Sequence, residues 1–375
     1  MKKRNYIYHL FVSHGREDLG FVNSIDGIIN QLDYIQEMGF DTIMSNPLFK
    51  ADSFHGYDIQ NFYEIAECVG GMKDFDRFIK ELEKRNMKYI MDFTFAHTSK
   101  NHQYFKDFLK GKNDFYILRD KIENDIPSDM HPTSHFYEWE LNKYLVAAFG
   151  GHMPSLNVES EAYRKEIANV IKFWLSKSKN IGIRLDAIVH ARTTAKHHNS
   201  LPFVQYIKNV VNEVNPEALL IAEVWLSNNL RDEPRAYADI LGAAFDFQTS
   251  FHILGQVRHG RSFDEIYIEE HNRQHRFVNF LGNHDTTRLK SMLDEDEDKV
   301  RLALKVMFEK TDGDVSLYYG DELCYSGHVM NGNDLGVRQK ADIIDLARAI
   351  KDENSLFHYI KNLIATDKKR RGISA

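Results

Sequence analysis

The sequence predicts a (β/α)8 barrel with a small excursion domain between the third strand and the third helix. Two observations carry this. First, apolar runs rich in β-formers alternate with amphipathic segments of helical period, the pattern of parallel strands joined by crossover helices. Second, four of the apolar runs deliver charged or imidazole side chains at or near the same end: Tyr89-Ile90-Met91-Asp92-Phe93-Thr94-Phe95-Ala96-His97, Ile181-Gly182-Ile183-Arg184-Leu185-Asp186-Ala187, Leu219-Leu220-Ile221-Ala222-Glu223-Val224-Trp225 and Phe277-Val278-Asn279-Phe280-Leu281-Gly282-Asn283-His284-Asp285. In such barrels catalytic groups sit at the C-terminal ends of the strands.

Taken in order, strand one is expected over 6–12 and a helix over 25–38, stopped by Gly39. Strand two follows at 41–45, then a loop holding His55-Gly56-Tyr57-Asp58. A helix over 72–85 sets Phe75, Phe78, Ile79 and Leu82 on one face. Strand three spans 89–95. From 97 to 157 the alternation stops, and sixty residues of structureless loop would be improbable in a compact domain. Helices are then expected over 160–177 and 201–214, with strands at 181–188, 219–224 and 243–247. Helical stretches reach about residue 271, and strand seven spans 276–282. The acidic run Asp294-Glu295-Asp296-Glu297-Asp298 reads as a solvated helix start favoured by the helix dipole. Strand eight is expected at 315–319 and a last helix over 340–364. The barrel thus comprises 1–96 and 158–366, the inserted domain 97–157, and the basic stretch 367–375 is expected to be a disordered tail.

Composition narrows the function. The chain has 375 residues, 43% hydrophobic and 27% charged, with net charge −7. A phosphate-backbone binder would usually be basic, so nucleic acid is disfavoured as a partner. Cys68 and Cys324 form no CxxC pair, which argues against a metal site or a disulfide framework. The basic N-terminus runs into His9, His14 and Arg16-Glu17-Asp18 without a signal-peptide core. No run of eighteen apolar residues occurs, so no membrane span is expected. The expectation is a cytoplasmic protein.

The chemistry lies in Asp186, Glu223 and Asp285. A lone acid after a strand reads as a turn cap. Three acids together, with two histidines and an arginine, suit glycoside cleavage with retention. That reaction needs a nucleophile and a proton donor, and a third anion helps stabilise the oxocarbenium-like transition state. Arg184, two residues before Asp186 on the same strand face, would keep the Asp186 pKa low. Neighbouring carboxylates would raise that of Glu223. Tyr57 can stack on a sugar face, and His97 and His284 can donate to hydroxyls. Arg288 could pair with a carboxylate or bind sugar, and His190 and Arg192 could line the acceptor side. Among the loop aromatics, Phe54, Tyr137 and Trp139 are candidate sugar platforms. His197-His198 reads as an exposed pair at a helix start rather than a metal site.

These motifs resemble those of the α-amylase family, glycoside hydrolase family 13, in the right order and over nearly the whole chain to about residue 364. Gly182–Ala187 resembles the nucleophile motif, Ala222–Trp225 the acid/base motif, and Phe280–Asp285 the third. The resemblance implies Asp186 as nucleophile, Glu223 as acid/base and Asp285 as transition-state stabiliser. It implies Arg184, His97, His284, Tyr57 and Asp58 around the sugar, with Asp92 in the strand-three motif. Met153-Pro154-Ser155-Leu156-Asn157 resembles the motif closing the excursion domain, and Gly320-Asp321-Glu322 a framework signature. Two departures stand out. Ala96 replaces an asparagine that binds calcium in many relatives, and a methyl cannot coordinate a hard cation. Ser155 stands where aspartate is usual. No cofactor is therefore expected. The implied activity is retaining hydrolysis of α-glucosidic bonds, α-1,4 in maltooligosaccharides or related glucans. The alternatives are a transglycosylase of the same family and a non-catalytic carbohydrate-binding protein on the same fold.

Overall fold

The structure, a computed structural model, describes residues 4–122, 134–191, 200–225, 233–270, 272 and 276–373. Among these residues the strands are β1 (Tyr6–Leu10), β2 (Thr42–Ser45), β3 (Phe49–Ala51), β4 (Ile59–Ile65), β5 (Lys88–Phe93), β6 (Leu118–Arg119), β7 (His135–Glu138), β8 (Lys143–Val146), β9 (Ile181–Leu185), β10 (Leu220–Ala222), β11 (Ala244–Phe245), β12 (Phe277–Asn279) and β13 (Asp314–Tyr318). Eight of them close into a barrel in the order β1-β13-β12-β11-β10-β9-β5-β2, and every pair with a recorded register is parallel. The barrel expected from the alternation is the barrel observed. Apart from Lys88 at the start of β5 its strand residues are buried, which is why they read as mainly apolar runs.

Two compact units divide the chain. The first holds Met1–Ser45, Lys73–Ile90 and Phe245–Ala375. Here the helix expected over 25–38 is two helices, Ile25–Asn30 and Leu32–Met38, broken at Gln31. Ser24 caps the first by accepting the Gly27 N–H, and Gly39 stops the second at φ 104°, a left-handed conformation that favours glycine. The acidic run behaves as a helix start: Asp296 accepts the N–H groups of Asp298 and Lys299 and begins the helix Glu297–Lys310.

The last helix is also split, into Ile343–Lys351 and Leu356–Arg370, with Asp342 and Ser355 as N-caps. The tail expected to begin at 367 is helical to Arg370. Asp367 is buried and anchors it, pairing with Arg4 at 2.9 Å, Arg370 at 2.6 Å and Arg371 at 3.0 Å, and accepting the Tyr6 hydroxyl at 2.9 Å. The stretch expected to be a disordered tail is held by one buried acid that pairs with three arginines.

The second unit holds Asn46–Met72 and Met91–Ala244. It contains the hairpin β3–β4, which alternation missed. Its buried positions Ile59, Phe62 and Ile65 are three apart, and the register slips twice along β3, so the period of two is lost. The excursion contains the helix Gln103–Leu109 and a three-stranded antiparallel sheet in the order β6-β8-β7. Trp174, fully buried on the helix Glu161–Leu175, ties that helix to β4 by donating to the Phe62 carbonyl at 2.7 Å. Gly182 in β9 is needed for close strand approach, since a Cβ there would lie 2.7 Å from the Leu219 carbonyl oxygen.

Candidate active site

In the second unit, β9 ends at Leu185 and the chain turns at once. Asp186 N–H still bonds the Phe93 carbonyl at 3.0 Å, but Ala187 adopts φ 41°, ψ 37°, left-handed and strained for a residue with a Cβ. That turn aims the Ala187 N–H at Glu223 Oε2, 3.0 Å away. The other Glu223 oxygen, Oε1, lies 2.6 Å from Nη2 of Arg184. Nη1 of Arg184 donates to Asp186 Oδ1 at 3.1 Å and, more closely, to Asp92 Oδ2. Tyr57 completes the cluster, donating to the same Asp92 oxygen at 3.0 Å.

Four side chains from four chain segments, Tyr57, Asp92, Asp186 and Glu223, therefore meet on one guanidinium. Burial opposes the Arg184 charge, but Asp92, Glu223, Tyr57 and Asp186 outweigh it and hold its pKa well above the ordinary value. Arg184 serves all three acids rather than Asp186 alone. Asp92, named only within a motif above, is a full member of the network.

His97 is buried, and burial pushes its pKa down to about 4 despite the hydrogen bond to Tyr57. Its Nε2 lies 3.0 Å from the Tyr57 carbonyl oxygen, which can only accept, so that nitrogen carries the proton of the neutral ring. Nδ1, which bonds no group among the described residues, is an acceptor. The expectation that His97 donates to a sugar hydroxyl is corrected: its one N–H is spent on Tyr57. Asp58 also has a structural role. Its Oδ1 accepts the Asp52 and Ser53 N–H groups and the Ser53 hydroxyl at 2.8–3.2 Å, so it holds the turn below Tyr57. His190 is buried with its ring 5.0 Å from that of Phe149. Arg192, His197 and His198 lie outside the described residues.

In the first unit, Asn283 Oδ1 accepts the Asp285 N–H at 2.9 Å, so Asn283-His284-Asp285 does form the Asx turn that a bland reading gives it. The turn presents Asp285, about a third exposed, for other use. His284 Nε2 lies 3.0 Å from Asp285 Oδ2, its ring edge-on to His9 at 5.2 Å. Arg338, absent from the sequence reading, donates to Asp285 Oδ1 at 2.8 Å and to the His284 carbonyl at 2.9 Å, and pairs with Asp334. Arg338 lies in a loop with no strand or helical period, 53 residues from Asp285, so no local signal marks it. Arg288 is corrected as a sugar binder. It is fully buried, its guanidinium 4.4 Å and 4.8 Å from the ring centroids of Tyr318 and Tyr319, and it donates to the Tyr319 carbonyl. Its charge faces Asp321 at 3.7 Å. Burial, only partly countered by Arg288, raises the Asp321 pKa to about 7.

For calcium, the residues do not fit. Ala96 offers only a methyl, and its carbonyl accepts the Leu156 N–H at 2.9 Å. The Ser155 hydroxyl accepts from Ala148 N at 3.3 Å. Among the described residues, no group of three His, Cys, Asp or Glu is placed to hold a metal ion.

A closed parallel barrel that sets paired carboxylates on a buried arginine just past its strand ends is the framework of a barrel enzyme. The chain belongs to the α-amylase family: the family model described as "Alpha amylase, catalytic domain" matches residues 13–374. Alpha-amylase 3 of Dictyoglomus thermophilum is 28% identical over 341 residues, covering 87% of this chain and 65% of that protein. The 4-alpha-glucanotransferase of Thermotoga neapolitana is 28% identical over 331 residues, covering 85% of this chain and 72% of that one. Thus the chain spans about two thirds of the length of these relatives. Among solved structures, the alpha-amylase from H. orenii superposes with a TM-score of 0.84 at 22% identity, over 99% of this chain and 83% of the other. Among the described residues, no helix is long and apolar enough to cross a membrane.

Proposed function

We propose that this protein is a retaining α-glycosidase cleaving α-glucosidic bonds, α-1,4 in maltooligosaccharides or related glucans. The observation that carries the reading is the shared guanidinium: Asp186 and Glu223 are both held on Arg184, by different nitrogens. Two acids fixed side by side in this way suit a double displacement. Asp186 attacks the anomeric carbon and forms the covalent glycosyl ester while Glu223 gives its proton to the departing glycosidic oxygen. Glu223 then takes a proton from water, the hydroxide oxygen displaces Asp186, and the anomer is retained. Asp285 is assigned to stabilising the developing positive charge, with Arg338 and His284 fixing its orientation. Tyr57 and His97 are assigned to the bound sugar, His97 as acceptor.

The experiment is a turnover screen of maltose, maltotriose, starch, pullulan, isomaltose, sucrose and trehalose, with the first-formed anomer read by proton NMR. An α product from an α bond is expected. Inversion, or Asp186→Asn retaining turnover, would end the reading. Transglycosylation is the second reading, favoured by the likeness to a 4-alpha-glucanotransferase over 85% of the chain. Longer products on adding an acceptor sugar would select it. A non-catalytic carbohydrate-binding role gains support only if wild type turns over none of these glucans. Residues 97–157, with their own three-stranded sheet, are taken as the inserted domain. A cytoplasmic location is part of the reading, suggested by the exposed free thiol of Cys68 and tested by cell fractionation.

A further inference from the structure

The sheet of the inserted segment carries a second feature. β8 is its middle strand. Tyr144 of β8 lies opposite Tyr137 of β7 on one side and opposite Arg119 of β6 on the other. Opposed residues share a face, so Arg119, Tyr144 and Tyr137 form one row across three strands. Trp139, just past β7, extends the row. Its ring meets that of Tyr137 at 4.7 Å and 80°, and Tyr137 meets Tyr144 at 5.2 Å and 72°. The packing work falls to the other face, where Leu145 is fully buried opposite Leu118 and Phe136. Trp139 is 83% exposed, the most exposed large hydrophobic side chain among the described residues.

We propose that this aromatic row is a glucan-binding platform, separate from the catalytic carboxylates, that holds a stretch of α-glucan chain. A pyranose presents an apolar C–H face and a rim of hydroxyls. An indole offers a flat apolar face to the first, and the Tyr144 phenol offers a hydrogen bond to the second, the Tyr137 hydroxyl being turned to Asn142 Oδ1. The rings stand edge to face, giving separate facets rather than the continuous apolar surface that a protein partner would need. Charges beside the row pair off, Lys143 with Asp120 at 3.0 Å and Lys100 with Glu138 at 2.8 Å, so neither an anionic lipid surface nor a polyphosphate is matched. The choice of ligand rests on the proposed function. The platform lies in the same compact unit as Asp186 and Glu223.

The test reads binding, not turnover. The full chain carrying Glu223→Gln is run in native gels containing amylopectin and titrated with maltoheptaose by tryptophan fluorescence. Adding Trp139→Ala is expected to weaken amylopectin retardation at least about tenfold, as loss of an exposed tryptophan anchor would. It should also abolish most of the fluorescence change. Trp139→Tyr, which keeps a ring, should stay within about threefold of the parent. Unchanged retardation in Trp139→Ala, or Trp139→Tyr as weak as alanine, overturns the platform. Retardation of a wild-type chain that cleaves no glucan would end the hydrolase reading and leave the platform standing.

Discussion

Arg338 donates from Nη2 to Asp285 Oδ1 across 2.8 Å, while its Nε holds the His284 carbonyl at 2.9 Å. One side chain thus fixes both the carboxylate and the turn that presents it. Arg338→Met keeps the stem over Phe11 but frees Asp285. We expect kcat to fall about 100-fold, the scale set by a misplacement of about 1 Å at a reacting centre, with KM changed far less. Arg338→Lys should recover only part of the loss, because an ammonium cannot make both bonds in the fork geometry. Steady-state kinetics on maltotriose separate the two parameters.

Arg184 forms ion pairs with Asp92, Asp186 and Glu223 alike. Removing it would take a shared cation from three buried acids. Arg184→Met should abolish turnover and destabilise the fold by about 3–5 kcal/mol, the usual cost of breaking a buried pair from one side. Urea unfolding at pH 7 measures this, and a loss under about 1 kcal/mol would contradict the network as described.

Two buried histidines make stability depend on pH. Burial lowers the pKa of His97 to about 4 and that of His102 to about 3. Unfolded, each takes a proton near pH 6.5. As pH falls below 6.5 the unfolded chain gains protons that the folded chain refuses, so stability drops until the folded values are reached. At pH 5 each should have lost on the order of 2 kcal/mol relative to pH 8. His102→Asn, which can still cap the following helix, should flatten the acid limb of a stability–pH curve by that amount.

Asp367 makes the C-terminal helix part of the fold. Its partner Arg4 is fully buried, and burial pulls the Arg4 pKa down to about 10 even with Asp367 beside it. Asp367→Ala leaves that cation without its carboxylate. Thermal and urea melts should show a loss of about 3–5 kcal/mol, as should truncation after Thr366. A disordered tail would lose nothing.

Much of the architecture was legible because barrel strands are buried on both faces, so β5, β9 and β13 read as mainly apolar runs with few polar interruptions. The helices were legible where a start signal and the period agreed, as in Leu201–Val214 with Pro202 in its first turn. The hairpin β3–β4 was not, since its bulged register erased the alternation. Asp186, Glu223 and Asp285 stood out because a polar residue directly after an apolar strand has no packing use there.

Sequence alone therefore determined the alternation that makes the barrel and marked the candidate acids, both of which follow from local periodicity and from what a strand end tolerates. Tertiary structure decided the partnerships. Arg184 was given to three acids, His97 was made an acceptor, Asp58 was given a turn to hold, Arg288 was turned into framework, and Arg338 was brought to Asp285 from 53 residues away. Such pairings depend on which segments fold against one another, and a charge carries no local mark of the partner it will meet.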